Sequence, residues 1–285
     1  MMMMTVTYVY GARTTLPRDY RDETLDDDDD ALNRGESASY VAKGAGGAFA
    51  TEASSAPRAY VYRDFLSVEE CEHLIRLAYT RVMNDSDDGG VVFPSTKGRG
   101  AFTAKKGYAL EREDDVVRAI ELRAAAWAML PPNRGEKIAV LKYDVGDEYA
   151  AHYDYFEDEN DRELNNGGQR VATVLMYLSD VEDGGETVFP HGTPIRETRH
   201  ASVTPENACS LAHKGTQGVL SVKPRRGDAV LLFNAHLNGE NDVNSLHAGC
   251  PVIRGTKWIA TQWMRVGPRN VGSYAAKPSN SQHEL

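Results

Sequence analysis

The chain has 285 residues, a formal net charge of −10 at pH 7 and a pI near 5.3. This acidity argues against the basic surface that nucleic-acid-binding proteins carry, so we expect no nucleic-acid partner. No apolar run reaches the roughly eighteen residues that a membrane span requires, and the start of the chain lacks the basic region and apolar core of a secretory signal.

An N-terminal tail is expected over residues 1–57. It combines an acidic run at Asp26–Asp30 with a Gly/Ala/Ser-rich stretch from Ala42 to Ala56 that has few large apolar groups to bury. Such composition is typical of disordered segments. We interpret the acidic run as a solvated spacer, and binding of cations or of a basic partner is the alternative.

The folded region is predicted to open with a short strand at Pro57–Tyr62, followed by two amphipathic helices. In the first helix, Ser67 and Glu70 form a capping-box pattern, and apolar residues recur at helical spacing as far as Val82. The second helix should run over about Glu113–Leu130, where two prolines end it. Each helix has one apolar face, so we expect both to pack against the rest of the fold.

From Lys137 onward, short apolar runs with period two are separated by Gly, Pro and Asp. The predicted strands are Ile138–Tyr143, Tyr149–Tyr153, Val171–Leu178, Glu186–Phe189, Gly218–Val222, Ala229–Phe233, Pro251–Ile253 and Lys257–Arg265. Short strands after two helices predict a mainly β fold, a cupin-like jelly roll of two sheets with flanking helices outside. A barrel-like interior would bring ligands from distant strands into one pocket.

Three cysteines, Cys71, Cys209 and Cys250, are too few for a disulfide scaffold but permit one bridge with one thiol left over. Cys71 lies on the apolar face of the first predicted helix, so we interpret it as a small core residue. The number of cysteines is consistent with either an oxidising or a reducing compartment.

The segment His152–Phe156 carries the clearest chemical signal. In an extended strand, His152 and Asp154 would point to the same face and could bind one metal ion. His247 is the best candidate for a third ligand, and His236 is the alternative of the same residue type. Two imidazoles and one carboxylate leave coordination positions open, which suits non-haem Fe(II) acting on dioxygen.

Six segments add a signal through their joint order and spacing. They are Val140–Gly146, His152–Phe156, Gly167–Leu178, Gly184–Pro190, Val222–Ala229 and Leu246–Val252. Together they resemble the prolyl 4-hydroxylase catalytic domain of the plant and algal type, a double-stranded β-helix of the 2-oxoglutarate and Fe(II)-dependent dioxygenases. The resemblance implies a catalytic domain over residues 58–268, followed by a flexible C-terminal tail over residues 269–285.

The resemblance implies that His152, Asp154 and His247 bind Fe(II), and that Lys257 pairs with the distal carboxylate of 2-oxoglutarate. A cation is also expected there on physical grounds. The keto acid end of 2-oxoglutarate chelates the metal, so its other carboxylate is buried and needs a positive partner.

The resemblance also implies two further groups of contacts. Tyr143, with Thr173 beside it, would bind the cosubstrate, and Arg170, Trp263 and Arg265 would border the peptide substrate. Two alternatives stay open, since Trp263 could be a core residue and Arg170 a surface residue of its strand. The sequence departs from the family pattern at Arg265, where histidine is more usual.

The implied enzyme is a dioxygenase of the procollagen-proline 4-dioxygenase type. It would hydroxylate peptidyl proline in proline-rich proteins, with oxidative decarboxylation of 2-oxoglutarate to succinate and CO2, and with L-ascorbate to rescue oxidised iron. One alternative is a dioxygenase that acts on another residue or on an intracellular regulatory protein. Another is a non-catalytic binder of proline-rich peptides, against which the intact set of metal and cosubstrate residues argues.

The expected location is the endoplasmic reticulum lumen or the secretory pathway, with the cytoplasm as the alternative. The end of the chain, Gln282–Leu285, shares the Glu-Leu finish of retention signals but not their full pattern. Cys209 and Cys250 stand where secretory plant-type relatives carry cysteines, and a disulfide between them would favour the lumen.

Overall fold

A computed structural model of the chain describes residues 43–44, 48–84, 106–110, 114–195 and 203–269. The helices in these ranges are α1 (Val68–Asn84), α2 (Asp115–Trp127) and α3 (Ala208–His213). The strands are β1 (Lys43–Gly44), β2 (Ala48–Ala56), β3 (Arg58–Tyr62), β4 (Lys106–Ala109), β5 (Ala139–Tyr143), β6 (Tyr149–His152), β7 (Arg170–Tyr177), β8 (Asp183–Gly184), β9 (Thr187–Val188), β10 (Thr193–Pro194), β11 (Ser221–Val222), β12 (Ala229–Phe233), β13 (His247–Gly249), β14 (Val252–Arg254) and β15 (Lys257–Arg265). In the part of the chain so described, no helix has the length and apolarity to cross a membrane.

Two antiparallel sheets face each other. The larger has the strand order β1-β2-β3-β12-β7-β15-β5-β4, and the smaller has the order β11-β9-β13-β6. A layer of buried side chains from both sheets lies between them, including Tyr143, Tyr177, Phe189 and Val222. This arrangement confirms the predicted jelly roll and leaves one interior between the sheets.

The helices cover the outer faces, as predicted. A second core cluster joins α1 and α2 to the larger sheet through residues such as Leu74 and Ile120, both fully buried. A smaller cluster packs α3 against the outer face of the smaller sheet. The larger sheet is therefore covered on both faces, which is why several of its strands are apolar throughout.

Side-chain alternation in β7 shows how the larger sheet serves both layers. Ala172, Val174 and Met176 point into the cluster shared with the helices, whereas Tyr177 belongs to the cluster between the sheets. Thr173 lies on the same inward-facing side, because residues two or four apart share a face of the strand. The sequence pattern thus places a hydroxyl group in the interior.

Side-chain caps fix the starts of α1 and α2. The Ser67 hydroxyl accepts from the Glu70 amide at 3.1 Å, and the Glu70 carboxylate accepts from the Ser67 amide at 2.9 Å, which confirms the capping box. Asp114 caps α2 by accepting from the amides of Val116 and Val117. Cys71 of α1 is fully buried and free, as the pattern predicted.

The structure corrects the N-terminal boundary. We predicted disorder for residues 1–57, but Ala48–Ala56 form a strand that pairs with β3 on one side and with β1 and β10 on the other. The alanines, serines and threonine of this strand bury little apolar surface, so the composition of the segment did not indicate a strand. The acidic run Asp26–Asp30 and residues 270–285 of the predicted C-terminal tail lie outside the described residues.

A strand of the smaller sheet was also missed. His247–Gly249 form β13, which lies between β9 and β6, although the sequence indicated no strand there. Three residues are too few to show an alternating pattern, and neighbouring strands rather than local propensity define this element.

Candidate active site

The first two predicted ligands lie at the end of β6. The strand ends at His152, and Asp154 follows in a bend rather than within the strand. The strand argument for a shared face was therefore wrong in its detail, but the two side chains still converge. His152 Nε2 lies 3.6 Å from Asp154 Oδ1.

The third predicted ligand, His247, comes from the neighbouring strand. In the register of β13 with β6, His247 lies directly opposite His152. Its Nε2 lies 3.6 Å from Asp154 Oδ2, and the two imidazole centroids are 4.3 Å apart. Strand pairing thus brings together residues that are far apart in the sequence.

The hydrogen bonds of both imidazoles fix which nitrogen faces the site. His152 Nδ1 donates to the Ala150 carbonyl at 2.8 Å, and His247 Nδ1 donates to the Ser245 carbonyl at 2.9 Å. A carbonyl can only accept, so each Nδ1 carries the proton and each Nε2 keeps its lone pair for a metal.

The electrostatics favour the protonation states that a cation requires. Burial acts to raise the pKa of Asp154, but the imidazoles of His247 and His152 outweigh it and hold the pKa well below its usual range. Burial lowers the pKa of His247 to about 4. An ionised carboxylate and a neutral imidazole are the forms that bind a metal.

The donor set fits Fe(II). Ligand atoms of His152, Asp154 and His247 all lie within 4.8 Å of one another, and all three residues are buried. They form the one such group found among the described residues. His236 is not part of it, because its side chain is half exposed and its Nε2 lies 3.6 Å from Asp242.

Lys257 lies in the same interior, with its side chain packed along two glycines. Its side chain passes Gly185 and Gly249, where an added Cβ would come within 3.4 Å of Cδ and 3.6 Å of Nζ, respectively. Gly249 belongs to β13, the strand that carries His247. Only 2% of Lys257 is exposed, and burial lowers its pKa to about 8, with Glu186 acting in the opposite direction.

Tyr143, whose predicted contact with the cosubstrate stays a prediction, lies next to Lys257. It pairs with Lys257 across β5 and β15, and the ammonium lies 5.5 Å from the centre of its ring. Burial raises its pKa, as do the charges of Tyr149, Asp147 and Asp154. The phenol therefore stays protonated at neutral pH and can donate a hydrogen bond to an anionic ligand.

Thr173 has a different partner from the one predicted. Its hydroxyl donates to Asp154 Oδ2 at 2.6 Å and accepts from the Asn234 amide at 3.0 Å. In this structure it orients a metal ligand, and its predicted contact with the cosubstrate stays a prediction.

Arg170 and Trp263 form a stacked pair next to Asp154. The guanidinium lies 4.1 Å from the centre of the Trp263 ring and 5.0 Å from that of Phe156. Its Nη1 reaches the Asp154 carbonyl at 3.5 Å. Trp263 belongs to the buried core between the sheets, and the Arg170 side chain is mostly buried beside it. Their predicted contacts with a peptide stay predictions.

Arg265 is placed differently from the prediction. It is fully buried, with Nε 2.5 Å from Glu136 Oε1 and Nη2 3.0 Å from Glu163. Its guanidinium therefore pairs with the buried carboxylate of Glu136 and the exposed one of Glu163, and it shares Glu136 with Arg170.

Glu136 is a central residue that the sequence did not reveal. Its carboxylate binds Arg170 at 2.7 and 2.9 Å, and Arg269 lies 3.4 Å away. Burial acts to raise its pKa, but Arg170 and Arg265 outweigh this and lower the pKa. An acidic residue just before a strand is a weak signal, and only the fold brings the arginines to it.

Asn234 and Glu186 were also missed. Asn234 is fully buried and bound to Thr173, while the buried Glu186 has one carboxylate oxygen without a hydrogen-bond partner. Glu186 lies in the segment Gly184–Pro190, one of those that carry the family resemblance, and Asn234 directly follows the predicted strand Ala229–Phe233. A polar residue in an apolar context was the available signal.

Comparison with known proteins gives a consistent result. A family model described as 2OG-Fe(II) oxygenase superfamily matches residues 138–265. Among curated proteins, "Probable prolyl 4-hydroxylase 6" of Arabidopsis thaliana is 44% identical over 216 residues, which are 76% of this chain and 72% of the relative. "Prolyl 4-hydroxylase 5" of the same plant is 41% identical over 239 residues, with 82% and 77% covered.

Among solved structures, one of the viral collagen prolyl hydroxylase vCPH of Paramecium Bursaria Chlorella virus-1, in complex with 2OG, has the same fold. Its TM-score is 0.50 at 24% identity, and the match covers 73% of this chain and 95% of the viral one. This likeness supports the jelly-roll assignment.

Proposed function

This chain belongs to the prolyl 4-hydroxylase family of the 2OG-Fe(II) oxygenase superfamily, and from that membership we propose that it hydroxylates peptidyl proline in proline-rich proteins. The reaction is coupled to oxidative decarboxylation of 2-oxoglutarate to succinate and CO2. The observation that carries the proposal is the buried group of His152, Asp154 and His247, together with the buried Lys257 ammonium next to Gly249 of the strand that begins at His247.

The chain supplies an open metal site and a cation for the cosubstrate. His152, Asp154 and His247 would hold Fe(II) and leave positions for other ligands. Bound Fe(II) and 2-oxoglutarate supply the dioxygen chemistry. Lys257 compensates the distal carboxylate of 2-oxoglutarate, which would otherwise be a buried unpaired charge.

The interior between the sheets protects the reaction. Tyr143, Phe189 and Val222 belong to the layer of side chains between the sheets, where the metal-binding residues also lie, and each is nearly inaccessible to solvent. Such walls exclude water, so charged groups in the site interact more strongly than they would in solution.

Arg170 and Trp263 are proposed to receive the peptide. A proline-rich segment is already extended as polyproline II, so it loses little conformational entropy on binding. Aromatic side chains recognise such segments in other domains. Trp263 is 9% exposed, and the guanidinium stacked on its ring lies beside the metal ligands.

A product assay tests the function. The full-length protein is incubated with Fe(II), 2-oxoglutarate and either poly-proline, collagen-like or lysine-containing peptides, and succinate and the oxidised residue are measured. We expect succinate together with 4-hydroxyproline. Oxygen on lysine would establish the other-residue alternative, and peptide binding without succinate would establish the non-catalytic binder.

Two histidines of the same region provide a matched pair. His247→Ala should abolish succinate release and metal binding, whereas His236→Ala should retain both, because only the first belongs to the ligand group. Loss of metal binding in His236→Ala but not in His247→Ala would reverse the ligand assignment.

We also propose that ascorbate sustains turnover by rescuing oxidised iron, and that the chain works in the endoplasmic reticulum lumen or secretory pathway. The disulfide between Cys209 and Cys250 supports the second proposal, since such bonds persist in oxidising compartments. Mass spectrometry of protein from its native cells tests it, and free thiols at both positions would favour the cytoplasm.

A further inference from the structure

Two chains of hydrogen bonds meet at Asn234, which directly follows β12. One leads from its side chain to the ligand Asp154, and the other leads from its carbonyl to the ligand His247. Asn234 itself is fully buried, and its backbone N–H donates to the Val171 carbonyl of β7 at 2.9 Å. It is thereby fixed to the strand that carries Thr173.

The side-chain branch has a defined direction. Asn234 Nδ2 donates to Thr173 Oγ1 at 3.0 Å, and Thr173 Oγ1 donates to Asp154 Oδ2 at 2.6 Å. A carboxylate only accepts, so the single hydroxyl proton must go to Asp154, and the hydroxyl oxygen must accept from the Asn234 amide. The amide therefore holds the hydroxyl in the orientation that fixes Asp154 Oδ2.

The main-chain branch runs through the segment before β13. The Asn234 carbonyl accepts from the Asp242 amide at 2.9 Å, and the Asp242 carbonyl accepts from the Ser245 amide at 3.0 Å and its hydroxyl at 2.7 Å. The Ser245 carbonyl then accepts from His247 Nδ1 at 2.9 Å. Asp242 and Ser245 are both buried, so water does not compete for these bonds.

We propose that Asn234 is a positioning residue that fixes Asp154 relative to His247 and thereby sets the affinity of the site for a divalent metal. Removal of such outer partners of metal ligands typically weakens metal binding by about 10–100-fold. The inference concerns the metal site alone and does not depend on which residue the enzyme oxidises.

The test measures Mn(II) affinity of the full-length protein by electron paramagnetic resonance titration, without 2-oxoglutarate or peptide. Asn234→Leu keeps the side-chain branching and removes the donor. We expect Mn(II) affinity to fall about tenfold. Gln262→Leu is the matched control, since it removes another fully buried amide of the larger sheet that touches neither branch.

A double-mutant cycle tests the route of the effect. Thr173→Val should lower Mn(II) affinity, Thr173→Ser should restore it, and Asn234→Leu should add nothing further in the Thr173→Val background. If Asn234→Leu fails to fold, Asn234→Ala replaces it in the same cycle, and the two Thr173 variants still test the side-chain branch.

Three results would overturn the proposal. The first is a Mn(II) affinity of Asn234→Leu within about twofold of the parent, the margin of independent sites. The second is a loss of Mn(II) affinity on Asn234→Leu that is as large in the Thr173→Val background as in the parent protein. The third is an equal loss in Gln262→Leu, which would make the effect one of general stability.

Discussion

At the metal end of the site, His152, Asp154 and His247 are held by neutral partners, namely carbonyls and one hydroxyl. At the arginine end, Glu136 and Glu163 hold Arg170, Arg265 and Arg269 by charge. Neutral partners orient the ligands and leave the carboxylate charge for a metal. Paired charges in a buried site instead stabilise one another. Removal of one member therefore leaves a buried charge without its partner, which lowers the free energy of unfolding.

Glu136→Gln should have the largest effect on the arginine end, because three guanidiniums would lose their shared carboxylate. We expect the free energy of unfolding to fall by about 3–5 kcal/mol, as for other broken buried pairs. Denaturant titration measures this. The control is Glu182→Gln, whose pair with Arg254 is exposed and should contribute about 1 kcal/mol or less. A loss in Glu136→Gln no greater than in the control would show that charge does not hold this end.

Lys257→Met should have the largest effect on cosubstrate binding. The distal carboxylate of 2-oxoglutarate would lose its buried cation, which costs about 2–5 kcal/mol. We expect KM for 2-oxoglutarate to rise about a hundredfold, with Mn(II) affinity unchanged. Lys257→Arg is the control and should retain part of the affinity, since it keeps the charge. An unchanged KM in Lys257→Met would remove Lys257 from the cosubstrate site.

Arg170→Lys should separate the two ends of the site. Lysine keeps the charge but loses both the bidentate bond to Glu136 and the planar stack on Trp263. We expect KM for a proline-rich peptide to rise about tenfold, equivalent to about 1.4 kcal/mol, with KM for 2-oxoglutarate unchanged. Initial rates over both substrates distinguish the cases. A change confined to 2-oxoglutarate would contradict the assignment.

The pH dependence should show the smallest effect. Burial lowers the pKa of Lys257 to about 8, so its ammonium is present below that pH and is lost as the pH rises through it. KM for 2-oxoglutarate should therefore increase above pH 8, by up to about tenfold per pH unit. In Lys257→Arg the increase should be absent, because arginine stays charged. A parallel rise in both proteins would point to another group.

The metal end could be predicted from the sequence because its residues lie in short motifs with fixed order. Strands β12 and β15 were predicted with the bounds that the structure shows. The apolar residues of β12 are continuous, and β15 carries two apolar stretches within one nine-residue run. β13 escaped detection because it has three residues and is defined by its neighbours. His247 was nevertheless identified, since the resemblance rather than a strand pattern pointed to it.

The arginine end could not be predicted in the same way. Glu136 is separated from Arg170 by 34 residues and from Arg265 by 129, and nothing in the local sequence connects them. The resemblance placed Arg265 at the substrate, yet its guanidinium is buried against Glu136 and Glu163. Ion pairs across a fold depend on the tertiary arrangement, which periodicity and composition do not report.

The disulfide between Cys209 of α3 and Cys250 has a practical consequence for production of the protein. Cys250 lies one residue beyond the strand that carries His247, so the bond fastens α3 next to a metal ligand. Protein made in a reducing bacterial cytosol would lack this disulfide bond. Expression in the periplasm, or oxidative refolding, is therefore the appropriate source for quantitative measurements on the iron site.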